Sequence, residues 1–346
     1  MLRKNGSFLL WSALLFSAFA GLLRWPTEAA QAVRDSLSLC AGTILPALFP
    51  FFILSTLTVE SGLAARLGRP LERCMNVLFR VNGSCAAALM LGLIGGYPVG
   101  AKATADLYRN GRCNESEARR LLGFCNNAGP SFLIGVVGAG IFQSAKLGLL
   151  LEGIHIFSAL LIGLLYHFLP DTRSAHEKAA EPPSSTRPVS AAALLPRAVQ
   201  QSVAALMNVC GFIILFGVLL KLLNCCGLLG IVARGLSALL LPFGVSEQWC
   251  MLLLGGMLEL SSGVAALPSG ISSVPMAAFL LGWGGLSVHC QTMSVLEGSG
   301  LSIRPCLIGK FLHGVLSAAL TALALKLWPQ AIAASDLLSS PLELHT

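Results

Sequence analysis

Charge is what this chain has least of. Of its 346 residues only 11% are Asp, Glu, Lys or Arg, against 55% hydrophobic, where a soluble domain is roughly a quarter charged. That scarcity excludes a secreted enzyme, a disordered chain and a nucleic-acid reader. The sequence has no Gly-x-x-x-x-Gly-Lys-Ser/Thr phosphate loop, no Gly-x-Ser-x-Gly elbow and no His-Glu-x-x-His. ATP-driven pumping and standard hydrolase chemistry therefore lack their residues, and the chain reads as a non-enzyme. Its eleven cysteines are scattered through apolar stretches, with no Cys-x-x-Cys pair and no Cys/His cluster at metal-ligand spacing. They read as small core residues, so neither a metal nor another cofactor is expected.

What the chain does have is apolar length. About 20 such residues make one crossing, and the composition supplies several. Arg3 and Lys4 precede an apolar run from Phe8 to Leu23, and Ala30-Gln31-Ala32 imitates a signal-peptide cleavage site. The interfacial cluster Arg24-Trp25-Pro26 argues instead for a retained transmembrane helix, with its loop, over 1–35. A first repeat is expected over 36–170. A polar, Pro- and Ser-rich stretch, 171–197, reads as a cytoplasmic linker. A second repeat is expected over 198–328 and a tail without Lys or Arg over 329–346.

The two halves match at an offset of about 160 residues, the weak internal symmetry of transporter folds. Pro50 to Leu54 lies opposite Gly211 to Leu215, Gly95-Gly96 opposite Gly255-Gly256, Gly123-Phe124 opposite Gly282-Trp283, and His155 opposite His313. Charge sets their orientation. Residues 61–120 hold nine Lys or Arg, and the matching 222–280 holds Arg234 alone. Lys and Arg accumulate on the cytoplasmic side, so the halves face opposite ways. The expected fold class is an all-α polytopic membrane protein with two inverted-topology repeats and re-entrant or interrupted helices.

The segment Cys85 to Ala101 is flanked on both sides by cytoplasmic-type charge and broken by Gly95, Gly96, Pro98 and Gly100. It reads as a re-entrant hairpin or interrupted helix, tolerable only where the backbone is buried in protein or lines a polar cavity. Its counterpart, Leu252 to Leu267, is expected to break at Gly255-Gly256. Interrupted segments at matching positions of two halves point to a substrate site. Free N–H groups at the helix start after Pro98, with Lys102 beside them, suit an anion; the alternative is that Lys102 snorkels to the interface. Tyr97 is placed to stack on an aromatic substrate, or is an ordinary interfacial tyrosine.

Asn126 and Asn127, followed by Gly129 and Pro130, offer amide ligands from an unwound stretch, or serve as interhelical glue. In the second half, Glu259 with Ser261 and Ser262 places a carboxylate near the midplane, where it faces a cavity or a partner unless the hairpin tip reaches the surface. His289 and Gln291 occupy the position matching the asparagines. His289 titrates in the range of a proton relay, or is a hydrogen-bonded core residue. Glu152, His155 and His313, in the final helices, are not taken as site residues; pairing across the repeat interface is their plain reading. Coupling by H+ or Na+ is open, and so is a homo-oligomer.

The stretch GGYPVGAKATADLYRNG, with Gly96, Tyr97, Pro98, Gly100, Ala101 and Lys102, is followed by FCNNAGPSF, with Asn126, Asn127 and Pro130. These residues resemble the nucleoside-recognition, or Gate, domain of YlbJ-type sporulation integral membrane proteins, most strongly over 36–170. The Asn segment departs from the family pattern, which often has a serine and another asparagine before the proline. The resemblance implies a multi-pass protein of endospore-forming bacteria, made in the mother cell and placed in the outer forespore membrane. It further implies movement of dipicolinic acid towards the forespore. Helix termini, Lys102 and Tyr97 fit that planar dianion. A nucleoside cargo and a non-transporting scaffold required for spore maturation are the alternatives. The expected partners are thus a small anionic or nucleoside-like substrate and membrane lipid, with no nucleic acid.

Overall fold

The computed structural model describes residues 2–61, 63, 66, 69–169 and 191–327. These are helical, with no strand among them. The first helices are α1 (Leu2–Arg24), α2 (Pro26–Leu39) and α3 (Leu45–Glu60), the last two joined through one π turn, Cys40–Ile44. The expected loop before residue 36 is therefore helical. Ala29, Ala32 and Ser36 of α2 are buried, and Pro26–Thr58 forms one apolar span. Small residues on one face let a neighbouring helix approach closely, and this face accordingly packs against the long helix of the second half.

Next come α4 (Glu72–Phe79), α5 (Ala86–Gly95) and α6 (Val99–Arg109). The path from Arg69–Phe79 into Gly83–Gly95 bends by 113°. The chain turns back between α5 and α6 at Gly96, whose φ of +73° suits glycine. The two arms of this first hairpin meet at glycines: a Cβ on Gly92 would stand 3.1 Å from the Gly100 Cα. Helix α7 (Glu115–Leu122) starts at a capping box in which the Asn114 side chain accepts the Glu117 N–H and the Glu117 carboxylate accepts the Asn114 N–H. A turn at Gly123 to Cys125 and a non-helical stretch, Asn126 to Gly129, then lead into a π-wound run, Ser131–Ile141, and α8 (Ala145–His167) returns. This is the first interrupted crossing.

The second half repeats the plan. Helix α9 (Ala191–Cys225) is followed by α10 (Leu228–Leu240), α11 (Glu247–Leu258) and α12 (Leu260–Ala265). Because α9 begins at Ala191, the last seven residues of the expected linker are helical. Residues 171–190 and the tail 329–346 lie outside the described residues. The hairpin of α11 and α12 is closed by glycines as the first one is, since a Cβ on Gly263 would overlap Gly256. Its break falls at Glu259, whose φ and ψ of −134° and 115° are extended, and not at Gly255-Gly256, which continue α11. Gly256 serves close approach while Gly255 has open space beside it, and the turn falls at Glu259.

The second interrupted crossing is α13 (Val274–Trp283) and α14 (Gly285–Leu296), separated at Gly284, and α15 (Arg304–Leu327) closes the chain. Gly282 of α13 packs directly on Gly314 of α15, and in the first half Gly138 packs on Gly148. Helices α8 and α15 run antiparallel: Tyr166 donates to the Pro305 carbonyl, and the His155 carbonyl meets His313 at 3.0 Å. Arginine side chains gather at one end, where Arg120 binds the carbonyls of Arg80 and Leu169 and Arg109 binds that of Glu297. It is the end that the charge rule expects on the cytoplasmic side.

Candidate functional site

The hairpins and interrupted crossings converge. Gly95, Gly96 and Tyr97 at the first hairpin tip, Gly129 and Ser131 of the first crossing, Glu259 and Ser261 of the second hairpin, and Gln291 of the second crossing line one cavity. Its volume is about 50 Å³, room for water and too little for an organic solute, since ligand pockets run to roughly 300 Å³ and above. Its remaining wall is apolar and aromatic, with Phe52 and Phe132.

Two larger openings flank this cavity. One, of about 560 Å³, holds Lys102, Asp106 and Pro98 and shares Phe52, Gly95, Tyr97 and Val209 with the cavity. The other, of about 480 Å³, holds Asp35, Lys221 and Ser262. The first touches α9 at Gln201 to Val209 and the second at Gly217 to Asn224. At 1.5 Å per residue those helix positions are roughly 22 Å apart, the first near the middle of the helix and the second near its C-terminal end. Lys102 and Ser262 are related by the same offset of about 160 residues that relates the halves. The vestibules are thus counterparts under the internal repeat.

Each vestibule is separated from the cavity by a hairpin tip. On the Lys102 side the barrier is Tyr97, whose hydroxyl donates to the Leu281 carbonyl of α13. On the other side it is the turn at Glu259. That carboxylate accepts the Ser261 N–H at 3.0 Å and the Ser262 N–H at 2.6 Å, and the Ser287 hydroxyl lies at 3.4 Å. Ser261 lines the cavity and Ser262 the second opening, so one side chain bonds to a residue of each. Glu259 is 1% exposed, which settles its place as buried at the site and not solvated at a surface tip. Replacing Tyr97 by Phe is expected to cost about 1 kcal/mol by removing one hydrogen bond and to loosen the inner gate. The check is thermal unfolding in detergent with solute exchange measured alongside.

The remaining candidates fall around the cavity, not on it. Lys102 is exposed in the vestibule. Gly100 closes the hairpin against the Cys125 carbonyl, and Pro130 precedes the π-wound run as its cap. The Asn126 amide donates to Thr292 Oγ1 at 3.0 Å and the Asn127 amide to the Phe124 carbonyl at 2.8 Å. Both asparagines are buried and join the halves, and neither lines the cavity. His289 is buried edge-on against Trp283, with ring centroids 4.3 Å apart.

Lys310 is the functional candidate that sequence reasoning missed. It is 1% exposed in α15, and its Nζ lies 3.4 Å from Asn127 Oδ1, 3.0 Å from His313 Nδ1 and 5.2 Å from the centre of the Tyr97 ring. His155 and His313 do meet across the repeat interface, with centroids 4.2 Å apart. The available signal was a lone lysine three residues before a histidine inside an apolar crossing, which is a functional hypothesis by default.

Comparison with known proteins gives three findings. Residues 41–170 match the Gate family, described as nucleoside recognition. The chain is 32% identical over 338 residues to the sporulation integral membrane protein YlbJ of Bacillus subtilis strain 168, covering 92% of this chain and 82% of that protein. The fold is similar to CNTnw in an inward-facing substrate-bound state, with TM-score 0.55, 15% identity, and coverage of 93% of this chain and 86% of that one. A variant of CNTnw in an intermediate state gives the same TM-score and identity, with 94% and 86% covered.

Proposed function

The chain belongs to the family of YlbJ sporulation integral membrane proteins, and from that premise and the cavity geometry we propose that it is a secondary carrier of a small planar solute, working by alternating access. The observation that carries this reading is one small cavity between two hairpin tips, mostly apolar with Ser131, Glu259, Ser261 and Gln291 in its wall, with a larger opening beside each hairpin. A solute entering beside Lys102 meets Tyr97 first. Movement of that tip admits it between Phe52, Phe132 and Gln291, and release of the Glu259 turn lets it leave past Ser262. The first hairpin is tied to the other half through Tyr97 and Leu281, and the second is held within its own half through Glu259 and Ser287.

Dipicolinate is the first cargo, moving from the mother cell through the outer forespore membrane. Lys102 attracts the anion into the vestibule and the aromatic wall accepts its ring. A nucleoside is the second reading, favoured by Glu259 and Gln291, which offer hydrogen-bond acceptors to hydroxyl and amine groups and oppose a dianion. The test is counterflow of labelled dipicolinate in proteoliposomes of the purified protein, with uridine as competitor. Lys102→Ala is expected to raise the half-saturation concentration for dipicolinate several-fold and leave the maximal rate, because an exposed vestibule charge acts on encounter. Exchange of uridine but not of dipicolinate moves the cargo to a nucleoside. No exchange of either solute removes the carrier reading in favour of a membrane scaffold.

A further inference from the structure

Lys310 sits in an environment that does not supply what an ammonium needs. Among the described residues no carboxylate forms an ion pair with it. Its neighbours are the Asn127 carbonyl oxygen, His313 Nδ1 and the face of Tyr97. A lysine buried within a crossing helix is costly to insert and is retained where it does something. Its placement says what. Nζ lies beside the unwound stretch Gly123 to Pro130 and beneath the tip of the first hairpin, where a freed amide oxygen and an aromatic face converge, as they would on a small cation.

We propose that Lys310 is the carrier's built-in coupling cation, so that transport is driven by a proton that Lys310 takes up and gives away, with no bound sodium. This rests on the carrier reading above. With Lys310 charged, Nζ ties the Asn127 stretch and the Tyr97 tip to α15, and the inner gate is held. When the Nζ–H bond breaks and an Nδ1–H bond forms on His313, the ammonium becomes an amine, the imidazole becomes an imidazolium, and the tie weakens. His313 is set for the exchange: its Nδ1 faces Nζ, and its Nε2 meets the His155 carbonyl at 3.0 Å.

The seam between α8 and α15 continues outward from this pair. The antiparallel register set by Tyr166 with Pro305 and His155 with His313 brings Glu152 level with Ser317 and places Thr321 beyond them. Glu152 Oε2, His155 Nδ1, Ser317 Oγ and Thr321 Oγ1 are all buried without a hydrogen-bond partner among the described residues. Buried polar atoms are ordinarily partnered, and a stripe of them at one helical face offers a route for a proton or for the water that carries it. The titratable groups around Lys310 are His313 and Cys306 on its own helix, His155 of α8, Cys125 of the unwound stretch, His289 of α14 and Tyr97 of the hairpin tip.

Two measurements test this. In the first, thermal unfolding of the detergent-purified protein is followed in NaCl against choline chloride. The wild type is expected to be indifferent to sodium, and Lys310→Ser, which leaves the Asn127 oxygen without its cation, is expected to gain a sodium-dependent rise in Tm. A sodium-dependent rise in the wild type itself overturns the proposal, with or without a known cargo. In the second, proteoliposomes with dipicolinate or uridine receive an imposed pH gradient or a sodium gradient. The wild type is expected to accumulate solute under the pH gradient alone, and Lys310→Met to retain counterflow and lose accumulation at least tenfold. Lys310→Arg keeps the charge and resists giving up its proton, so it is expected to fold and to accumulate nothing. Counterflow with accumulation driven by sodium overturns the coupling while leaving the carrier reading; absence of counterflow overturns the carrier reading, and sodium-indifferent unfolding then decides only whether Lys310 fills a cation site.

Discussion

Gly100→Ala is expected to leave almost no folded protein. Added at this position, a Cβ overlaps the Cys125 carbonyl oxygen and comes within 3.0 Å of the Gly92 Cα. Both obstacles are backbone, so no rotamer change relieves them, and overpacking at a rigid site costs about 3 kcal/mol or more. The first hairpin can only open, and opening withdraws Gly96 and Tyr97 from the cavity. Gly92→Ala meets the same carbonyl and is expected to behave alike. The control is Gly153→Ala in α8, where nothing lies within 4 Å of the new Cβ and helix propensity favours alanine by about 1 kcal/mol. The measurement is the yield of monodisperse protein in detergent and its thermal unfolding. A well-folded Gly100→Ala protein with wild-type Tm would show that the hairpin is not closed as described.

Glu259→Ala carries the second large effect. The substitution orphans the N–H groups of Ser261 and Ser262 and the Ser287 hydroxyl. Each buried group left unsatisfied costs about 1 to 3 kcal/mol. Because Ser261 faces the cavity and Ser262 the second opening, the loss is expected as a leak as well as a lower Tm. Solute trapped in proteoliposomes should escape without exchange. Glu259→Gln keeps one acceptor oxygen and should fall between wild type and Ala. An alanine variant that unfolds earlier yet remains tight would confine Glu259 to a structural cap.

Hydropathy and charge act where each residue meets its solvent, and so much of the architecture was legible along the chain. The scarcity of charge determined a membrane protein, and the run Gly95 to Gly100 marked a reversal because Gly and Pro interrupt a helix wherever it lies. Nine basic residues against one set the halves in opposite senses, and the offset of about 160 residues matched His155 with His313, which the structure brings together while Glu152 Oε2 has no partner among the described residues. Boundaries were less legible. The 191–197 stretch reads as linker by composition and is helix in fact, because a long helix continues at little cost once its apolar part is anchored.

What only the tertiary structure decided is which polar residues face one another. Asn126 and Asn127 look the same as Glu259 in a hydropathy reading, yet they join the halves while Glu259 holds a gate. Gly255-Gly256 looked like a break, but a glycine pair that permits close packing has the same letters as one that permits a turn. Lys310 stood in the sequence as a lone lysine in an apolar crossing, and its partner Asn127, 183 residues away, was found only in the fold. Local composition fixes the cost of burying such a group and says nothing of its partner, since the partner is chosen by the packing of helices whose sequence separation carries no trace of their distance in space.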